Sequence, residues 1–226
     1  MASKTAHSGG HGVGAAVAAL LAVALAASGC ASRTQHRADG GTVGSVLSCL
    51  RASGADAVDA SAHPDLQVSA GEVAVSFSTF DAYVGIAQGA HEAAGAAAAL
   101  DAQLAVLQQA GHATIHRAAI YYFDAPIVPR SAGRLLAACL DGTRDASTEM
   151  AALAADLPAI ALPRPLETRF LARCTGLGTA GACACAYRRA SRLLRFAQVD
   201  GVGRTWPERR ASALVAGLLR TCAPPA

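Results

Sequence analysis

The sequence predicts an α+β fold: a small antiparallel sheet of two hairpins covered by helices, followed by a disulfide-stapled helical module. Residues 43–141 alternate between helical and strand patterns in the order α-ββ-α-ββ-α, which is typical of an antiparallel sheet with helices on one face. Residues 145–226 show helical patterns only, and the six cysteines after residue 30 divide two and four between the segments. We therefore expect two modules, 43–141 and 145–226.

The first module begins with a short helix over residues 43–52, where apolar side chains group with Cys49. Residues 53–71 lack a clear period and contain glycine and proline, so we expect mostly loop there. The apolar residues of 73–77 alternate with smaller ones, which predicts a half-buried strand, and residues 83–86 begin the returning strand.

The same module continues with a second helix and a second hairpin. Residues 89–110 are rich in alanine with leucines on one face, and Gly111 stands where a helix stop is expected. Residues 114–116 and 120–123 predict the second hairpin. Ser131 is then expected to cap a helix. That helix carries Leu135, Leu136, Cys139 and Leu140.

The second module is a small helical unit. Residues 146–155 predict a modest helix, and a connector with three prolines stiffens the junction that follows. Residues 166–174 are helical, and a glycine-rich turn leads to Cys183-Ala-Cys185 and a helix through Leu194. Residues 205–208 have the pattern of a capping box that starts the last helix.

The N-terminus contains an apolar run over 13–27 that ends in Ala27-Ser28-Gly29-Cys30. The run is shorter than the ~20 residues of a membrane span and suits a secretory signal. These four residues resemble the lipobox of bacterial lipoproteins.

That resemblance implies a signal peptide over 1–29, diacylglycerol on the thiol of Cys30, and a polar tether over 30–42. The protein would then lie at the extracytoplasmic face of the cell membrane, held by its lipid anchor. The mature region resembles uncharacterised exported actinobacterial proteins that have a C-terminal four-cysteine module with a CxC pair.

The remaining cysteines are even in number, which in an oxidising compartment indicates three disulfides. A bridge between Cys49 and Cys139 would join the first and last helices of the first module, while the sequence leaves the other pairing open. The close pair has a single intervening residue, whereas structural zinc sites usually use C-x₂₋₄-C. Thiol–disulfide exchange at this pair stays an alternative. The disulfide candidates are Cys49, Cys139, Cys174, Cys183, Cys185 and Cys222.

Motifs for catalysis, metals or cofactors are weak. The G-x-G-x-x-G pattern over 176–181 follows a helical segment, so we expect a turn and not a dinucleotide site. His91-Glu92 begins an H-E-x-x-H pattern, but Gly95 replaces its second histidine. His112 and His116 would lie about 13 Å apart along a strand, too far to share a metal. We expect no metal and no cofactor.

Charge separates the two modules. Residues 31–163 hold seven arginines against thirteen acidic residues, while residues 164–226 hold eleven arginines against three. A basic stripe on the helix after the cysteine pair, extended by the last helix, could contact anionic lipid or another polyanion. It could equally be a solvated face or dock on the acidic module. The candidate residues are Arg188, Arg189, Arg192, Arg195, Arg209 and Arg210.

Composition excludes two broad classes: 53% hydrophobic residues excludes a disordered chain, and a single long apolar run excludes a polytopic membrane protein. We expect a lipid-anchored, non-enzymatic binding or scaffold protein of the cell envelope. Its partners would be the membrane, an anionic lipid or cell-wall polymer, and an envelope protein, with no nucleic acid. An envelope hydrolase without a recognisable motif is the main alternative.

Overall fold

Strand pairing organises the first half of the chain. The computed structural model describes residues 41–62, 64–109, 111–143 and 145–222, all within one compact unit. Its strands are β1 (Asp56–Asp59), β2 (Gly71–Ser76), β3 (Asp81–Ile86), β4 (Thr114–His116) and β5 (Ala119–Phe123). They form an antiparallel sheet of order β1-β2-β3-β5-β4. The predicted α+β class with an antiparallel sheet is confirmed.

Eight α-helices complete the described part of the chain. A π-helical turn over Gly201–Thr205 joins the last two of them. The helices are α1 (Val43–Ala52), α2 (Ala90–Val106), α3 (Arg130–Asp141), α4 (Ala146–Asp156), α5 (Arg164–Cys174), α6 (Ala180–Leu193), α7 (Phe196–Asp200) and α8 (Glu208–Thr221).

Helices cover both faces of the sheet, although the sequence pattern predicted one covered face. Val73, Val75 and Val84 point into a large core that they share with α1, α3 and the C-terminal helices. Ile120 and Tyr122 lie on the opposite face, where they pack with the alanines of α2 in a smaller cluster. The alternation of side chains along each strand therefore serves two separate cores.

The first strand lies where loop was expected. Residues Asp56–Asp59 pair with β2, so that Ala57 opposes Val75. The segment has two aspartates in four residues, and aspartate has low strand propensity. Its partner strand stabilises it at the sheet edge, which no local pattern indicates.

Three helix termini differ from the predictions. α2 ends at Val106, and Gln108 takes the left-handed conformation (φ 53°) before Gly111 is reached. Ser131 does not cap α3: Pro129 occupies the N-cap position, and the buried Ser131 hydroxyl donates to Asp156 of α4.

The last helix also starts differently. The predicted capping box over 205–208 is wrong, because Thr205 ends the π-helical turn and Pro207 is the N-cap of α8. Thr205 therefore lies outside the position from which its hydroxyl could cap the helix.

Three disulfides link helices: Cys49–Cys139 joins α1 to α3, Cys174–Cys183 joins α5 to α6, and Cys185–Cys222 joins α6 to the end of α8. The predicted Cys49–Cys139 bridge is confirmed. Cys183 and Cys185 lie inside α6, two positions and about 200° apart around the helix, so each side chain reaches a different neighbour.

A single large core contains residues from both predicted modules. Leu50 and Leu136 of the first segment and Leu153, Phe170 and Leu218 of the second are all buried in it. Whether 43–141 and 145–226 can fold separately stays a prediction. The predicted signal peptide, Cys30 and the tether up to residue 40 lie outside the described residues.

Candidate functional site

Two glycines let α8 come close to the turn between α1 and β1, near the C-terminal end of the helix. Gly54 has φ +94°, and a Cβ there would lie 2.9 Å from the backbone nitrogen of Leu218. A Cβ at Gly217 would lie 2.6 Å from Cα of Gly54. Larger residues at either position would push α8 away from the turn between α1 and β1.

A cavity of about 430 Å³ opens where α1, β1 and the start of α8 meet. This volume falls within the range of small-molecule sites. Its charged lining residues are Arg51, Asp56, Arg209 and Arg210, and Trp206 with several alanines, Pro207 and Leu214 supplies the apolar part. We call it the basic cavity, because three arginines face one aspartate.

The aspartate of the basic cavity is already paired. Asp56 Oδ1 accepts from Arg210 Nη2 at 2.8 Å, and its Oδ2 accepts from Gln198 Nε2 at 2.9 Å. The Arg210 guanidinium also lies 3.8 Å from the centre of the Trp206 ring, a cation–π contact. The indole packs directly on Gly201, where a Cβ would come within 2.4 Å of Nε1. Arg210 and Trp206 therefore form a fixed wall.

The other two arginines keep donors available. Arg51 uses Nε to donate to the carbonyl of Ala57 at 2.9 Å, which orients the guanidinium. Arg209 is exposed and makes no side-chain hydrogen bond or ion pair within the described residues. The positive end of the α8 dipole, which Pro207 leaves without a side-chain cap, adds to the same potential.

Most of the predicted arginine stripe is engaged within the molecule. Arg192 donates to the carbonyls of Ala155 and Leu157 at the end of α4. Arg195 lies beyond α6, at the N-cap of α7, and pairs with Asp81 at 2.8 Å. Two of the predicted polyanion contacts, Arg195 and Arg210, thus bind aspartates of the acidic segment.

The remaining members of the stripe differ in exposure. Arg189 is partly buried, its Nη1 has no hydrogen-bond partner among the described residues, and burial lowers the pKa of its guanidinium. Arg188 is exposed on α6, and its side chain contacts no described hydrogen-bond partner. Neither arginine lines the basic cavity.

The other sequence motifs form no metal-binding or redox site among the described residues. His116 pairs with Asp141 at 2.8 Å, and the described residues contain no cluster of three His, Cys, Asp or Glu side chains that could hold a metal. Residues 176–179 belong to the turn between α5 and α6, as expected, and residues 180–181 are the first two positions of α6. The CxC pair is divided between two disulfides, so it is no dithiol couple in this structure.

Comparisons with protein-family models, curated proteins and solved structures find no match to this chain. None of the helices in the described part of the chain is long and apolar enough to cross a bilayer.

Sequence reasoning identified Arg209 and Arg210 but missed Arg51, Asp56 and Trp206. Trp206 is about 150 residues from Asp56 in the sequence, and the packing of α8 against the turn between α1 and β1 brings the two segments together. The one available signal was Trp206 itself, a lone tryptophan beside two arginines.

Proposed function

We propose that the protein is a lipid-anchored cell-envelope protein that binds an anionic ligand in the basic cavity. The ligand group is a phosphate or carboxylate, carried by a cell-wall polymer or by a lipid headgroup at the extracytoplasmic face of the membrane. The lipid on Cys30 keeps the cavity near such surfaces, and the polar tether over 30–42 gives it reach.

The observation that carries this proposal is the unequal pairing of charges in the basic cavity. Arg210 is paired with Asp56, whereas Arg209 and the terminal nitrogens of Arg51 form no ion pair or hydrogen bond with a described residue. Guanidinium groups bind phosphate and carboxylate through paired N–H donors. An anion in the cavity would supply the acceptors that these two side chains lack.

Two further observations support the location. The lipobox resemblance at Ala27–Cys30 predicts export and acylation. Three disulfides favour an oxidising compartment, because cytosolic thiols are normally kept reduced.

The binding proposal is tested with the full chain in neutral detergent, titrated calorimetrically with glycerol phosphate. Arg209→Gln should weaken binding about tenfold, the loss of one charge-assisted hydrogen bond. Arg188→Gln is the matched control, since it removes the same charge from an exposed helix position outside the cavity. Equal losses in both variants would contradict the proposal, because they would indicate general electrostatic attraction.

The two sources of the anion are separated by a second titration. Vesicles of phosphatidylcholine with and without phosphatidylglycerol test the headgroup, and a soluble polymer of glycerol phosphate tests the wall polymer. The source that the wild type prefers, and that Arg209→Gln reduces, is assigned as the ligand. Binding that is insensitive to added salt would contradict an ionic site.

The anchor is tested by growing cells with an alkyne fatty acid and detecting label on the protein. Cys30→Ser should lose the label, while Ser32→Ala, two residues away, should keep it. Label that persists in Cys30→Ser would contradict lipidation at this residue.

A further inference from the structure

A second polar cavity, of about 240 Å³, lies between α2 and the sheet. Its floor comes from Tyr83 on β3 and Tyr122 on β5, and its apolar wall from leucines of α2 and the residue after it, including Leu104 and Leu107. Asp65 and Asp124 stand at its rim. We call it the acidic cavity.

No basic side chain among the described lining residues balances the negative charge of the two aspartates. The described lining contains no lysine, arginine or histidine, and neither carboxylate forms an ion pair with a described residue. Asp124 uses Oδ1 to accept from the backbone N–H of Asp81 at 2.5 Å, which fixes the side chain and leaves Oδ2 available. The acidic cavity therefore carries two carboxylates, of which a hydrogen bond orients Asp124.

The two tyrosine rings lie nearly parallel to each other. Tyr83 and Tyr122 are directly opposed in the β3–β5 ladder, and their rings lie 6.3 Å apart between centroids with an interplanar angle of 20°. Gly111 packs against the edge of Tyr122, where a Cβ would lie 2.7 Å from Cε2. The faces of aromatic rings carry negative potential and attract cations.

A buried carboxyl group, Glu72, adds to the negative potential at the tyrosine floor of the acidic cavity. Glu72 is fully buried, its Oε2 accepts from the backbone N–H of Leu66, and its Oε1 has no described partner. Burial raises the pKa of the Tyr83 hydroxyl, and Asp81, Asp124, Asp65 and Glu72 raise it further. Several carboxylates thus act on one point of the cavity floor.

We propose that the acidic cavity binds an organic cation whose charge lies on an alkylated ammonium nitrogen. The aspartates supply opposite charge, the two rings supply cation–π attraction, and the leucines contact the methyl groups. A bare metal ion fits poorly, since the described residues offer no three carboxylate, imidazole or thiolate groups together. This site is independent of the proposed function of the basic cavity.

The test titrates the full chain with choline and, separately, with 3,3-dimethylbutan-1-ol, its neutral isostere. Choline should bind in a saturable way and at least about fivefold more tightly, because the two probes differ only in charge. Equal binding of both probes, or no saturable choline binding, would overturn the proposal without reliance on any variant.

Variants then place the probe in the acidic cavity. Asp65→Asn with Asp124→Asn should weaken choline binding about fivefold, since each asparagine keeps an oxygen acceptor and loses the charge. Tyr83→Leu should weaken it about threefold, and Tyr83→Phe should retain it. Asp145→Asn is the control, because Asp145 is exposed and caps no helix through its side chain. An equal loss in this control would overturn the proposed site.

A last comparison identifies where the ammonium group comes from. Choline bound more tightly than glycerophosphocholine supports a free cation, because the added phosphate would approach Asp65 and Asp124. The reverse order supports a lipid headgroup as the source of the same ammonium group.

Discussion

The basic cavity and the acidic cavity differ in how their charges are compensated. In the basic cavity one arginine is paired with Asp56 and two retain free donors. In the acidic cavity both aspartates lack a cationic partner among the described residues, and aromatic rings lie beside them. The net charge of +3 therefore says little about either site. Local pairing decides which charges are left for a ligand.

The two cavities differ also in how their walls are held. Disulfides fix α1 to α3 and the end of α8 to α6, and α1 and α8 both line the basic cavity. The elements around the acidic cavity, α2, β3 and β5, contain no disulfide cysteine in the described structure and are held by packing and strand pairing.

The largest expected effect tests this covalent difference. Cys49→Ala with Cys139→Ala opens a link with a sequence separation of 90 and should lower the free energy of unfolding by about 4–5 kcal/mol. Cys174→Ala with Cys183→Ala removes a disulfide with a sequence separation of 9 and should lower the free energy of unfolding by about 2–3 kcal/mol. Urea unfolding of the oxidised variants measures both. A larger loss from the short link would contradict the loop-entropy account.

The next effect tests the pairing that distinguishes the basic cavity. Arg210→Leu leaves Asp56, whose side chain is only 12% exposed, without its guanidinium partner. We expect a loss of about 1–2 kcal/mol in unfolding free energy, moderated because Arg210 itself is partly solvated. Arg134→Leu, which breaks an exposed pair with Glu149, should cost less than about 1 kcal/mol. Equal losses would show that the Asp56 pair is an ordinary surface pair.

The smallest effects concern two glutamates, one buried on β2 and one in the first turn of α2. Burial raises the pKa of Glu72, so its contribution to stability is present at low pH and is lost as pH rises through its folded pKa. Glu72→Gln should therefore stabilise the protein at pH 7, and the gain should shrink as pH falls through the folded pKa of Glu72.

Glu92 provides the matched opposite case. The backbone N–H of Gln88 and contacts with Ser69 lower its pKa, so its stabilisation is lost as pH falls through the folded value. Glu92→Gln should destabilise at neutral pH and have little effect in acid. Thermal unfolding across pH checks both variants, and the same sign for the two at pH 7 would contradict these assignments.

Much of the fold could be predicted because its signals are local. Alternating apolar residues indicated β2 and β3, leucine spacing indicated the helices, and an even number of cysteines indicated three disulfides. β1 could not be predicted, since Asp56–Asp59 is a strand only through its pairing with β2.

The sites were predicted less well for a related reason. We predicted that Arg188 to Arg195 lie on one face of a single helix. However, α6 ends at Leu193, and Arg195 pairs with Asp81. Both cavities join residues that are distant in sequence. Asp65, for example, lies in the connection between β1 and β2, whereas Asp124 follows β5, yet both line the acidic cavity.

The central claim is that the two cavities are separate sites for ligands of opposite charge. One set of calorimetric titrations tests it, with glycerol phosphate and choline measured on the wild type, Arg209→Gln and the Asp65→Asn/Asp124→Asn variant. We predict that Arg209→Gln weakens only glycerol phosphate and that the aspartate variant weakens only choline. Variants that change both affinities together, or neither, would contradict the account.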